Sequence, residues 1–153
     1  MKLITCLIAS VCLGAAAVFA QRDTSFPACD LGNGSLTPRK RTTTFNVKYI
    51  PANNDPNAGA CGGVYTDAPG LCVKPGWVHS GNANHCGAWA RLTLNGKTVD
   101  AKVVDVCGAD AGSTMGCDDL FLTKDAFVAL GGDPAVGVLP AGDHITWWWT
   151  TPK

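Results

Sequence analysis

The sequence contains no glutamate; all 12 of its acidic residues are aspartate. Only 16% of residues are charged, against 18 glycines and 9 prolines. Long solvated helices draw on Glu and Lys, so this composition favours strands and turns. Neither sign of charge is in excess, because 12 Lys and Arg balance the 12 Asp and the formal net charge is zero. That balance removes the electrostatic reason to expect nucleic acid or an anionic membrane as partner. Beyond residue 20, no run approaches the ~20 apolar residues of a membrane span. Cys-x-x-Cys pairs are absent, and His79, His85 and His144 are scattered without ligand spacing, so neither metal nor cofactor is expected. A chain of 153 residues has the length of one domain. Its apolar content of 46% suffices for a packed core.

What is present begins with residues 1–20, where Lys2 precedes an apolar run that ends in Val18-Phe19-Ala20. This is the pattern of a secretory signal peptide and predicts a secreted, extracellular, monomeric protein. Cys6 and Cys12 leave with the signal, and Cys29, Cys61, Cys72, Cys86, Cys107 and Cys117 remain. An even number in an oxidising compartment predicts three disulfides, and the ~15 possible pairings stay open at this point. Residues 21–41 read as an N-terminal extension. Asn33-Gly34-Ser35 is a glycosylation sequon, which puts that stretch on the surface. Pro38-Arg39-Lys40-Arg41 is a basic cluster that either invites a secretory-pathway protease or serves as an exposed linker. Loss of the extension would strand one of the six cysteines, so it is expected to stay attached through a Cys29 disulfide. Residues 42–153 then form the folded domain.

Within that domain, residues 43–50 are β-branched and aromatic and predict a first strand. Pro, Asn, Asp and Gly make residues 51–63 a loop, and residues 76–87 a second one. Two strand-like runs over 88–94 and 97–105 flank Asn95-Gly96. Both central positions of a type I′ turn need positive φ, which Asn-Gly supplies at least cost, so a hairpin is predicted. Residues 123–130 read as one short helix. Thr123 is placed to cap it with its hydroxyl, Asp125 lies in the first turn, and Phe127 and Leu130 share a face. Gly131 and Gly132 end it. Residues 143–151 predict a last strand with Ile145, Trp147 and Trp149 on one face and Thr146, Trp148 and Thr150 on the other.

The order of these pieces resembles the double-psi β-barrel of the RlpA-like, barwin, expansin and kiwellin superfamily, including small fungal expansin-like proteins. The resemblance covers roughly residues 44–150. It rests on Gly59-Ala60-Cys61-Gly62-Gly63, Thr66-Asp67, Cys86-Gly87, Asn95-Gly96-Lys97, Ala101-Lys102-Val103-Val104-Asp105-Val106-Cys107, Asp119-Leu120-Phe121-Leu122-Thr123 and Ile145-Thr146-Trp147. It implies a mainly β fold, a six-stranded barrel with one short helix, stabilised by disulfides that include Cys61–Cys86. Function is not implied by the barrel alone. Relatives include expansins that loosen walls without hydrolysis, endoglucanases, lytic transglycosylases, chitin-fragment binders, protease inhibitors and effector-binding defence proteins.

Glycoside hydrolysis normally uses two carboxylates that flank the scissile bond. With Thr123 fixing the register, the resemblance puts the family's acid at Phe121, where none stands. The second acid of the hydrolases belongs around residues 49–51, which also lack one. This argues against a two-carboxylate hydrolase and against enzymatic activity. Asp105 and Asp119 are the remaining candidate carboxylates. Asp119 alternates onto the face of Phe121, about 6.6 Å away along an extended chain, while Asp105 has the structural alternative of accepting loop N–H groups. Sugars stack on exposed indoles. If Trp147 packs inside, Trp148 is the surface candidate. The expected groove is Tyr49, Tyr65, Asp67, Trp77, Asp105, Asp119 and Phe121, with Trp148 outlying. Its expected partner is a cell-wall polysaccharide such as cellulose, chitin or a related glycan, or else a secreted protein bound on the same barrel. No carbohydrate-binding domain follows residue 153 in this sequence, which weakens the expectation of full expansin activity.

Overall fold

The computed structural model describes residues 29, 39–44, 46–55, 59–62, 64–78, 85–109 and 113–150. The signal peptide expected at residues 1–20, the Asn33 sequon and His79 lie outside the described residues.

The hairpin is the centre of the sheet. Strands β3 (Trp89–Leu94) and β4 (Lys97–Val106) meet at Asn95 and Gly96, whose φ values of 48° and 79° are the left-handed pair a type I′ turn requires. Alternation sends Ala90, Leu92, Leu94, Ala101 and Val103 inward. Trp89, Arg91 and Lys102 face outward, with Trp89 opposite Lys102 and Arg91 opposite Asp100. Strand β6 (Thr146–Thr150) pairs antiparallel with β3, and β1 (Arg41–Thr42) pairs with β6. On the far side, β2 (Gly70–Val73) runs parallel to β4, and β5 (Leu120–Leu122) runs antiparallel to β2. The order of the six-stranded sheet is β1-β6-β3-β4-β2-β5.

Residues 43–50, expected as one strand, act instead as the seam. The N–H of Thr43 donates to the carbonyl of Ile145 beside β6 at 2.9 Å. Further along, the carbonyl of Lys48 accepts from Leu122 N–H at 3.0 Å, and Ile50 N–H donates to Leu122 at 2.8 Å. One extended segment therefore serves both sheet edges, and the sheet curls until neither lies open. Inside this curl Trp147, Ile145, Leu71, Leu92, Leu122 and Phe127 are fully buried.

Helix α1 (Lys124–Ala129) follows β5 and covers the sheet with Ala126 and Phe127. Thr123 holds the N-cap position, but its hydroxyl does not cap the helix. The O–H donates to Ala68 C=O at 2.6 Å and the oxygen accepts Gly70 N–H at 2.7 Å. The expected cap is thus used to anchor the start of β2. Backbone reach explains the exchange, since Gly70 has no Cβ between it and the Thr123 methyl.

Three disulfides staple the domain: Cys29–Cys117, Cys61–Cys86 and Cys72–Cys107, with Cα separations of 5.3, 5.2 and 5.6 Å. The first ties Cys29 of the N-terminal extension to the loop before β5. The boundary expected after Arg41 falls inside β1, and Arg41 itself is 8% exposed. Its guanidinium sits 4.8 Å from the Trp77 ring and 5.1 Å from the Trp147 ring, and 3.7 Å from the Asp118 carboxylate.

Candidate functional site

The outward face of the sheet carries the candidate site. Phe121 of β5, Cys72 of β2 and Asp105 of β4 are register partners, so they share this face, with the Cys72–Cys107 disulfide between the two side chains. The Lys48 ammonium lies 5.7 Å from the centroid of the Phe121 ring. The position where the resemblance expects an acid thus holds an aromatic ring with a cation beside it.

Asp105 is half-buried and held. Its Oδ1 accepts the N–H groups of Ala60 at 2.9 Å and Val106 at 2.7 Å, and the Tyr65 hydroxyl donates to the same carboxylate. The phenol of Tyr65 is pushed above its ordinary pKa, first by burial and then by the negative charge and hydrogen bond of Asp105. These bonds match the structural alternative for Asp105.

Beyond Tyr65 the outer face opens into a groove of about 520 Å³ whose lining includes Val64, Tyr65, Thr66, Trp89, Lys102 and Val104. A smaller recess of about 230 Å³ shares Val64, Lys102 and Val104 and runs on to Cys61–Cys86. Residues 64–69 form one wall and the β3–β4 hairpin forms the floor. At the far end, Trp148 of β6 stands beside Arg91, whose guanidinium grips Asp100 at 2.7 and 2.9 Å. The Lys40 ammonium lies 5.5 Å from the Trp148 centroid.

Several expected groove residues lie elsewhere. Trp77 is 1% exposed and donates its indole N–H to Cys117 C=O at 2.7 Å; it is a core residue. Asp119 is 1% exposed, and its carboxylate accepts Thr44 N–H at 2.6 Å and Gly116 N–H at 2.7 Å. The chain turns at residues 117–118, so Asp119 does not alternate with Phe121 onto the groove face. Tyr49 packs its ring 6.1 Å from Phe127, and the neighbouring Lys48 reaches Phe121 instead. Asp67 faces the helix start, with its carboxylate 3.9 Å from Lys124 Nζ. His85 stacks on Trp149 in the core and His144 lies beside the hairpin turn. Among the described residues, no group of three or more His, Cys or Asp could hold a metal ion. The structure brings together Tyr65, Asp105 and Phe121, with Trp148 at the other end. It adds Lys48, Trp89 and Lys102, which the sequence reading did not place in the site.

The curled six-stranded sheet, the single short helix and the parallel β2–β4 pair make this a double-psi β-barrel fold. Its outer groove is aromatic and, among the described residues, has no carboxylate free of structural bonds. Solved structures of two kinds share the fold. The chain is similar to the Streptomyces papain inhibitor, at 22% identity and a TM-score of 0.55, over 74% of this chain and 96% of that one. It is also similar to an expansin of Clavibacter michiganensis, at 22% identity and a TM-score of 0.54, over 75% of this chain and 52% of that one. A mutant of that expansin in complex with cellohexaose matches at 24% identity and a TM-score of 0.51, over 72% of this chain. The chain thus spans about half of the expansin and nearly all of the inhibitor. No family model and no curated protein matches the sequence.

Proposed function

We propose that this protein is a secreted, expansin-like, non-hydrolytic binder of cell-wall polysaccharide, holding an extended glycan along the outer groove. One observation carries the reading: the outer face presents aromatic rings at Phe121, Tyr65, Trp89 and Trp148, of which Tyr65 and Trp89 line the groove, while Asp105 and Asp100 are spent on internal bonds. Aromatic rings suit the apolar faces of sugars, and hydrolysis lacks the acid and base it needs. Three disulfides and the signal-like residues 1–20 support secretion. The cellohexaose complex of the expansin adds support for a glycan on this fold. The test is a pull-down on cellulose, chitin and soluble glucans, run beside assays for reducing-sugar release. Retention without sugar release is expected; sugar release by the wild type would overturn the non-hydrolytic reading.

A second reading, a secreted protein-binding module of the inhibitor type, draws on a different observation. Nearly the whole papain inhibitor superposes on this domain, and the Val64–Val104 part of the groove is apolar enough for a protein side chain. A stoichiometric protein complex together with retention on no glycan would favour it.

A further inference from the structure

The outer face sets a lysine over an aromatic ring at two places and across the strand pair from one at a third. Lys40 lies over Trp148, Lys102 is the register partner of Trp89, and Lys48 lies over Phe121. All three lysines are exposed, and no carboxylate among the described residues pairs with any of them. The acids on this face are different. Asp100 is closed by a two-point contact with Arg91, and Asp105 accepts two backbone N–H groups and the Tyr65 hydroxyl. A chain of zero net charge therefore carries three lysines without carboxylate partners among the described residues on its outer face, two of them over a ring and the third in the groove. From Trp148 to Phe121 the track crosses four strand spacings, roughly 19 Å.

We propose that this groove takes an anionic glycan, a polysaccharide of uronic acid residues, in preference to a neutral one. The inference rests on the glycan-binding reading above and names the class of glycan. Sugar rings stack on Trp148, Trp89 and Phe121, and carboxylates of the polymer meet Lys40, Lys102 and Lys48. A neutral glucan would leave the three ammonium groups unanswered. A nucleic acid also combines flat rings with negative charge, and lysine pairs with phosphate as well as with carboxylate, so the oligonucleotide in the test below separates the two. Arg91, which also faces outward, is already engaged by Asp100.

The test uses the full oxidised chain in affinity electrophoresis and in solution titration. Probes are polygalacturonate, its methyl-esterified form, a neutral soluble glucan and a single-stranded oligonucleotide. Polygalacturonate is expected to bind more tightly than its methyl ester, with an affinity that falls as salt rises past about 0.1 M, where the screening length is about 10 Å. Lys48→Met and Lys102→Met, whose exposed side chains pair with no carboxylate among the described residues, should each weaken polygalacturonate about two- to fivefold and a neutral glucan by less. Equal, salt-insensitive binding of esterified and free polymer would overturn the anionic assignment while leaving glycan binding intact. Retention of no glycan at all would instead remove the glycan reading itself. An oligonucleotide that binds as tightly as polygalacturonate would also overturn the proposal, because the face would then answer to charge alone.

Discussion

Two sets of aromatic side chains lie on opposite faces of the same sheet. On the inner face, Trp77, Trp147 and Trp149 meet edge to face at 5.0 to 6.1 Å, with His85 stacked on Trp149 and Arg41 lodged against the first two. The indole N–H groups of Trp77 and Trp147 are satisfied by the carbonyls of Cys117 and Asp118. On the outer face, Trp89, Trp148 and Phe121 do not contact one another; each has a lysine for company. The cation on the inside is an arginine with an aspartate partner, while the three lysines outside pair with no carboxylate among the described residues. The inner set is enclosed and holds the fold, with only the Trp149 indole N–H, of its three, buried without a partner, and the outer set is open to a ligand.

The largest expected effect tests that division on adjacent residues. Trp147→Ala removes a fully buried ring and should cost about 3–5 kcal/mol of stability. Trp148→Ala, one residue on, should cost under about 1 kcal/mol but reduce glycan retention. Urea midpoints measured side by side would decide it, and similar losses from both would erase the distinction between the faces.

Next comes the clasp on the inner cluster. Replacing Cys29 and Cys117 together by Ser should lower stability by about 2–4 kcal/mol. It should also change susceptibility to cleavage after Arg41. That side chain is enclosed by two indoles and its backbone is paired with β6, so a dibasic or tryptic protease has no access to it in the intact fold. Limited digestion followed by mass spectrometry should find the bond resistant in the oxidised wild type and cut in the variant. Rapid cutting of the oxidised protein would show that the clasp does not protect it.

Much of this division could be read locally, and the misreadings have a common cause. The hairpin, the helix and the alternation of residues 145–150 depend on neighbours within a few positions, and the structure has them where the pattern puts them. Counting back from the Asn95-Gly96 turn even sets Trp89 opposite Lys102. The misplaced residues depend on distant partners. Trp77 looks like an aromatic in a glycine-rich loop, yet the barrel closes over it. Asp119 looks extended, but Thr44, far away in sequence, draws its carboxylate inward. Thr123 looks like a cap, and the parallel pairing of β2, a four-residue strand that begins with glycine, claims its hydroxyl. Fold class was legible because many weak local signals agreed; the site was less so because burial is decided by closure of the whole sheet.

A smaller effect is expected at the outer face itself. Phe121→Asp restores the missing acid, but beside Lys48, where the new carboxylate gains an exposed ion pair worth about 0.2–1 kcal/mol. The variant should still release no sugar, since Asp105 remains bound to two backbone N–H groups and Asp119 remains buried. Retention of polygalacturonate should fall, because a ring is lost and a cation neutralised. Appearance of reducing sugar would mean that Asp105 or Asp119 is freer than its bonds imply.

The subtlest expectation concerns the hinge between the two halves of the groove. Tyr65 joins them, lining the open part while donating to Asp105. Burial, the charge of Asp105 and that hydrogen bond all favour the neutral phenol, so its folded pKa lies above the ordinary value. The stability this contributes is fully present below the unfolded pKa of about 10 and is lost as pH rises through the folded pKa. The chain has only two tyrosines, so a Tyr49→Phe variant leaves phenolate absorbance to report Tyr65 alone. Its titration midpoint should lie above that of a free tyrosine. Asp105→Asn in the same background should lower it, because the negative charge vanishes and the hydrogen bond weakens while burial stays. A midpoint that does not move would mean that Tyr65 is not held by Asp105 in solution, and the groove would then lack the rigid post that separates its two aromatic stretches.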